Sequence, residues 1–355
     1  MTDDIYRQLQ QRLDTYSIGF PATASGIEIR ILKKLFDATA AALFLAMTPK
    51  LETAEQVAQR IGQPSVQVAA QLEEMAEKGL LFRVRKGDAA KYGAIPFVHG
   101  LFEFQVGRLD PELAQMVEQY HKEGFGRVFA TIGGMFLRTV PVAKSITVTH
   151  QVAAYDDAVK ILAQNESIVV ADCICRKQKA AIGRGCGKTM EACFMFGSMG
   201  QYYVDRGMGR RIDVAEAVAI LKKAQDSGLV TQPATAQNPA GMCNCCGDCC
   251  GVLSAIKKFP KPAQVVISNH FAAVDRQRCT GCETCLERCQ MDAIALDDQG
   301  LVAVDRDRCI GCGLCVTTCP TEAMQLIAKP AAQHVTPPAN SAEQMMTMAK
   351  NRGLL

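Results

Sequence analysis

The sequence predicts an α+β chain in three parts: a helical N-terminal domain, a cysteine-rich α/β middle and a small C-terminal domain built on a repeated motif. Three observations predict it. Helical periodicity dominates the first 165 residues, all seventeen cysteines fall at or after Cys173, and the last eight of them form two copies of one spacing. With 355 residues, 48% of them hydrophobic, the chain has material for more than one core.

Residues 1–105 read as a lead helix and a winged-helix-like domain. An amphipathic helix over Asp3 to Tyr16 is followed by GIEIRILKKLF and ATAAALFLAM, then by a helix capped at Thr53. A turn at Gly62 to Pro64 leads into a second helix, Ser65 to Lys78, which Gly79 stops, and two strands flank Gly87-Asp88. That order is similar to a winged helix-turn-helix domain. The second helix would enter a DNA groove, yet it carries Glu73, Glu74 and Glu77, which phosphates repel. The basic wing, Arg83, Arg85, Lys86 and Lys91, has no reading helix beside it, so DNA is disfavoured and protein contact is expected. Residues 106–165 are expected to be a helical connector, with LRTVPV as an extended segment. His99, His121 and His150 stand alone, and structural or surface roles are expected for them.

The middle, residues 166–270, begins with a short buried strand, Ile168 to Ala171, that runs into Cys173-x-Cys175. Cys186 and Cys193 follow, then a helix capped by Asp213 and stopped by Gly228. The stretch NPAGMCNCCGDCCG then places Cys243, Cys245, Cys246, Cys249 and Cys250 within eight residues. The nearby GRGCGKTM is not a phosphate loop, because three residues rather than four separate Gly183 from Gly187 and no strand leads into it. The start MTDDIYRQLQQRLDTY lacks the basic patch and apolar run of a secretory leader, and the longest apolar stretch is far below the roughly 20 residues that span a bilayer. A cytoplasmic, reducing location with no integral membrane segment is therefore expected, and with it metal thiolates in place of disulfides. A net charge of +3 is uninformative about partners.

Residues 271–329 carry VDRQRCTGCETCLERCQMDAIAL and VDRDRCIGCGLCVTTCPTEAMQL, 30 residues apart, each spaced C-x2-C-x2-C-x3-C. Three thiolates at this spacing wrap one iron–sulfur cube while the fourth reaches the other. One 4Fe-4S cluster then takes Cys279, Cys282, Cys285 and Cys319, and the other takes Cys309, Cys312, Cys315 and Cys289. Gly281, Gly311 and Gly313 suit a backbone folded closely round a cluster. This resembles the bacterial-type two-cluster ferredoxins, which implies a ferredoxin-like domain. Gln290 departs from the family, standing where proline is usual. Together with ADCICRK and CNCCGDCCG, the whole arrangement resembles a poorly characterised family of cytoplasmic 4Fe-4S binding proteins of anaerobic metabolism, with a winged-helix-like N-terminal domain.

Nine middle cysteines are one more than two four-iron cubes require. Adjacent cysteines such as Cys245-Cys246 and Cys249-Cys250 point apart, so each pair can serve two sites. One or two further 4Fe-4S clusters are expected from Cys173, Cys175, Cys186, Cys193, Cys243, Cys245, Cys246, Cys249 and Cys250, with the partition open. Surplus buried thiols, zinc at some positions, or a dithiol redox pair at Cys246-x2-Cys249 are the alternatives. Arg176, Lys177, Lys188, Arg206, Arg210 and Arg211 would either raise a cluster's potential or simply face solvent. No acid, base or nucleophile constellation is visible. The expected function is a polyferredoxin that relays single electrons to or from a partner oxidoreductase, its N-terminal domain docking that partner or a second copy as a homodimer. A redox-sensing DNA-binding regulator and a reductase acting at the middle thiols are the rivals. Residues 330–355, with few large side chains, are expected to be a mobile tail with a short terminal helix.

Overall fold

The computed structural model describes residues 2–145 and 153–355; His150 lies outside them. Five helices open the chain: α1 (Thr2–Asp14), α2 (Ile27–Leu35), α3 (Ala38–Ala46), α4 (Ala54–Ile61) and α5 (Ser65–Glu77), followed by an antiparallel hairpin of β1 (Phe82–Lys86) and β2 (Ala89–Gly93). Thr53 and Gln56 form a reciprocal capping box on α4, and Gly62 ends it in the left-handed conformation. Leu9, Leu13, Ile31, Phe44, Val57 and Leu72 bury the inner faces of these helices.

The acidic face of α5 is consumed within the protein. Glu73 binds Arg83 and Arg85 of the hairpin and accepts from the Tyr92 hydroxyl at 2.8 Å, while Glu77 binds Arg83 at 2.9 Å and Arg206 of the middle part. Tyr202, also of the middle part, points its hydroxyl at the carbonyls of Ala76 (2.9 Å) and Leu81 (3.0 Å). The C-terminal end of α5 is thus turned towards the rest of the chain.

Helix α6 (Pro111–Glu123) starts at the Asp110 cap, but the expected helical connector does not continue. Gly124, Gly126, Gly133, Gly134 and Pro141 interrupt it, and residues 124–145 form short turns and an extended segment. Backbone bonds from Thr139 to Ile267 (2.9 Å) and from Val140 to Thr231 (3.1 Å) hold that segment in place. Helix resumes briefly at α7 (Ala158–Ala163).

The middle part contains β3 (Ile168–Asp172), α8 (Ile174–Ala181), β4 (Glu191–Phe196), α9 (Gly197–Asp205), β5 (Gly209–Ile212), α10 (Val214–Asp226), β6 (Val230–Pro233), β7 (Gly241–Cys245) and α11 (Gly251–Lys257). Its five strands lie in the order β5-β3-β4-β7-β6, and every pairing is antiparallel. The middle is therefore not α/β as expected. Short α8 and the 182–190 loop return the chain near the end of β3, so β4 runs back beside it without a parallel crossover. Strand alternation gives the sheet two faces. Ile168, Val170, Phe194 and Met242 pack with α7 and α10, while Val169, Ala171, Cys243 and Cys245 join the main core on the other side.

The last part pairs β8 (His270–Val274) with β11 (Met324–Ala328) and β9 (Ile294–Leu296) with β10 (Val302–Val304), with a short helix α12 (Thr284–Arg288) between β8 and β9. The tail expected to be mobile is anchored. Helix α13 (Ser341–Asn351) buries Met348, Gln344 donates to the carbonyls of Met135 (2.7 Å) and Phe136 (2.8 Å), and Arg352 donates to those of Asp14 (2.6 Å) and Ser17 (3.1 Å). Its anchors are mainly polar side chains on backbone carbonyls, which a count of large apolar residues overlooks.

Candidate metal centres

The two C-terminal repeats fold alike. Left-handed backbone recurs at matched positions: Gly281 and Gly311, Glu283 and Gly313, Asp292 and Glu322. Glycine is required at the first pair, since a Cβ would lie 2.4 Å from the Gly300 oxygen at one and 2.2 Å from the His270 oxygen at the other. Burial pushes the Cys285 thiol up to about 11, with Cys319, Cys282 and Cys279 adding to the shift. Burial likewise raises Cys315, and there Cys312, Cys309 and Cys289 add to it. Cys289, Cys309, Cys312 and Cys315 line one small cavity. Amides of Ala272, Ala293 and Met324 donate to the sulfurs of Cys309 (3.3 Å), Cys289 (3.3 Å) and Cys319 (3.5 Å), the kind of donor that stabilises bound thiolates. Cys282 is the exposed thiol of the eight.

This part is bolted to the middle on the side of that cavity. Arg288 donates to the carbonyls of Gln225 and Asp226 at the end of α10, both at 2.8 Å, and Arg308 to that of Lys257 at the end of α11, at 2.9 Å. Gln290, the departure from proline, accepts from the Gly247 amide at 2.8 Å. That amide lies between Cys246 and Cys249, so the side chain after Cys289 docks on a middle cysteine loop.

Six of the nine middle cysteines close into a ring, each in side-chain contact with the next: Cys173, Cys175, Cys250, Cys245, Cys243, Cys193 and back to Cys173. Register builds it. Cys193 on β4 stands directly opposite Cys243 on β7, and Cys243 and Cys245 share a sheet face. Cys173 and Cys250 are the N-caps of α8 and α11, and the Cys250 sulfur accepts from the Leu253 amide at 3.4 Å. Each of the six sulfurs is perturbed first by the two thiols beside it, because all of them lie buried against one another. Six thiolates together would need cations to share their charge, and an all-sulfur donor set suits iron–sulfur, zinc or copper(I) rather than hard oxygen-seeking ions.

The ring forms part of the wall of a cavity of ≈ 250 Å³ that also meets His99, Glu103 and Tyr203. His99 contacts Cys243 and has left-handed backbone, φ 57°. Glu103 accepts from the Gly100 amide at 2.9 Å, and burial lifts its carboxyl to about 7. The sequence reading gave His99 only a structural or surface role and did not single out Glu103, because both sit in an irregular turn over 97–105 with no periodic signal.

Cys186, Cys246 and Cys249 form a separate triad, their sulfurs within 4.8 Å of one another and Cys186 and Cys246 3.8 Å apart. Each adjacent pair is thereby divided: Cys245 and Cys250 enter the ring, Cys246 and Cys249 the triad. Arg176 faces both groups. It is buried, the charges of Cys173, Cys193, Cys245 and Cys246 face it, Nη1 donates to the Asn244 carbonyl at 3.0 Å, and Nε and Nη2 have no hydrogen-bond acceptor. The other cations singled out are engaged elsewhere: Lys177 with Asp172, Arg206 with Glu77, Arg210 with Glu191 and Glu216, and Arg211 with Ser167 and Gln201. Lys188 carries no ion pair among the described residues.

Among the described residues no helix is long and apolar enough to cross a membrane. No curated protein and no solved structure matches the chain. Residues 272–326 match the family of the 4Fe-4S dicluster domain. The C-terminal part of the chain is accordingly a ferredoxin-like 4Fe-4S domain.

Proposed function

We propose that this chain is a multi-cluster iron–sulfur protein that relays single electrons to or from a partner oxidoreductase. One observation carries the reading: the C-terminal thiols present two environments, with Cys282 at the surface and Cys289, Cys309, Cys312 and Cys315 packed towards the middle cysteines through Gln290 and Gly247. Two 4Fe-4S clusters there would supply one-electron transfer. Cys279, Cys282, Cys285 and Cys319 would hold the outer one, and Cys309, Cys312, Cys315 and Cys289 the inner. The six-thiol ring would hold a further iron–sulfur group, with the burial of its sulfurs excluding water. The N-terminal helices and hairpin, whose charges are largely paired internally, would serve in protein contact, with the redox partner or a second copy, rather than in reading DNA.

Iron and acid-labile sulfide per chain, measured on anaerobically purified protein, test this. The expected result is well above the roughly 8 iron atoms that two cubes contain, falling to about 8 in a Cys193→Ser, Cys245→Ser variant. About 8 in both would remove the ring from the relay. A second reading, reduction of a small acceptor at the ring, is favoured by the cavity where His99, Glu103 and Tyr203 meet the thiols. Turnover with a reduced viologen that is lost in His99→Gln at unchanged iron content would select it.

A further inference from the structure

The nine middle cysteines do not divide as two four-iron cubes would need. They fall into six and three, and the three differ from every other thiol group in the chain. Among the described residues, Cys186, Cys246 and Cys249 are the one set of three or more histidine, cysteine or acidic ligand atoms lying within 4.8 Å of one another. The eight ferredoxin cysteines form no such set. A cube spreads its thiolates because each binds a different iron atom, whereas one ion draws its ligands together. Tetrahedral zinc with Zn–S bonds of about 2.3 Å places its sulfurs about 3.8 Å apart. The Cys186 and Cys246 sulfurs are 3.8 Å apart.

Local chain geometry points the same way. Cys246-Gly247-Asp248-Cys249 supplies two ligands from one tight turn, and Cys186 comes from a loop between glycines of left-handed backbone, Gly183 and Gly187. Arg176 lies against the triad and the ring alike. It is 2% exposed, and two of its three guanidinium nitrogens have no hydrogen-bond acceptor. The charges facing it are those of Cys173, Cys193 and Cys245 in the ring and Cys246 in the triad. A buried guanidinium in that position needs anionic sulfur, which a bound cation maintains.

We propose that Cys186, Cys246 and Cys249 bind a single thiophilic divalent ion, zinc, distinct from the iron–sulfur groups. The fourth position is left to solvent or an exogenous ligand, since Cys186 is half-buried and no fourth protein ligand lies within reach of the triad among the described residues. Zinc has no redox chemistry, so its work here is to fix the Cys246–Cys249 turn. The Gly247 amide of that turn is what Gln290 holds, so the ion braces the seat of the ferredoxin domain.

The test is zinc, iron and labile sulfide per full chain, on protein produced with both metals supplied and reconstituted anaerobically with iron and sulfide. Wild type is expected to keep about one zinc. Cys186→Ser, at the most exposed member, should lose it with iron and sulfide unchanged, whereas Cys193→Ser in the ring should lose iron and keep zinc. Zinc-edge X-ray absorption of wild type, independent of any variant's folding, should show about three sulfur neighbours near 2.3 Å. Absence of zinc, with about 4 iron and 4 sulfide lost from Cys186→Ser, would replace the ion by a cube. Absence of zinc with no change in iron would leave the triad empty, and zinc bound mainly by oxygen or nitrogen would place it elsewhere. Each of these overturns the proposal without touching the electron-transfer reading.

Discussion

Removing Arg288 should loosen the ferredoxin domain from the middle without unfolding either. Its guanidinium makes two bonds of 2.8 Å, to the carbonyls of Gln225 and Asp226, where the end of α10 presents its last carbonyls and carries partial negative charge. A hydrogen bond to a charged group contributes about 1.5 kcal/mol, and partial exposure discounts two of them to about 2 kcal/mol in Arg288→Ala. That is about 30-fold in the equilibrium between docked and undocked forms. Arg308 grips a different helix end, at Lys257, so the double variant should lose close to the sum. Hydrogen exchange provides the readout. The Gly247 amide bonded to Gln290 and the Val142 amide bonded to the Cys312 carbonyl both cross the interface. Their exchange should accelerate by about 30-fold while amides between β3 and β4 keep their protection. Unchanged exchange at Gly247 and Val142, or equal acceleration within the sheet, would refute the reasoning.

Three further outcomes are expected. Tyr202→Phe deletes a buried hydroxyl shared by the Ala76 and Leu81 carbonyls and should cost about 1–2 kcal/mol, seen as a lower urea midpoint for the N-terminal helices; an unchanged midpoint would show that water replaces the hydroxyl. Burial lowers His121 to about 4 against an unfolded value near 6.5, so the unfolded chain binds the extra proton and stability present above pH 6.5 is lost as pH falls to 4, by up to about 3 kcal/mol. The urea midpoint of His121→Gln should therefore fall less between pH 6.5 and 4.5 than that of wild type, and parallel curves would contradict this. Finally, Cys282 is exposed while Cys315 is buried, so mild ferricyanide oxidation should release C-terminal iron in two phases, with Cys282 becoming alkylatable before Cys315 by mass spectrometry; simultaneous labelling would count against the two environments.

What the sequence made legible was whatever is local. The C-x2-C-x2-C-x3-C repeats carry their geometry in their spacing, and Thr53, Gly62 and Asp213 mark helix ends through bonds made within four residues. The ring was not legible, because Cys193 and Cys243 meet only through the register of β4 on β7, fifty residues apart in sequence. Nor did spacing show that the sheet would be antiparallel. Gln290 was visible as a departure from a pattern, but its reason lies in the Gly247 amide, 43 residues away. His99 stood out only as a lone histidine and Glu103 not at all, since an irregular turn has no period to read.

The division of neighbouring cysteines follows from two rules of backbone geometry acting on one stretch. Alternation along β7 turns Cys243 and Cys245 to the cavity and Asn244 to the other face, where its side chain donates to the Ala192 carbonyl and accepts from Thr231. Past the strand's end the chain enters a turn, so Cys246 escapes the alternation and pairs with Cys249, while Cys250 becomes the cap of α11 and returns to the ring. Arg176 then links the two groups: its one hydrogen bond reaches the carbonyl of Asn244, between two ring cysteines, and its charge faces Cys246 as well. Burying that guanidinium is favourable only while sulfur anions surround it. Charge on the thiols, the position of Arg176 and the register of β7 therefore form one coupled set, and a metal held by the middle thiols, as proposed, would at the same time contribute folding free energy to the strand that presents its ligands.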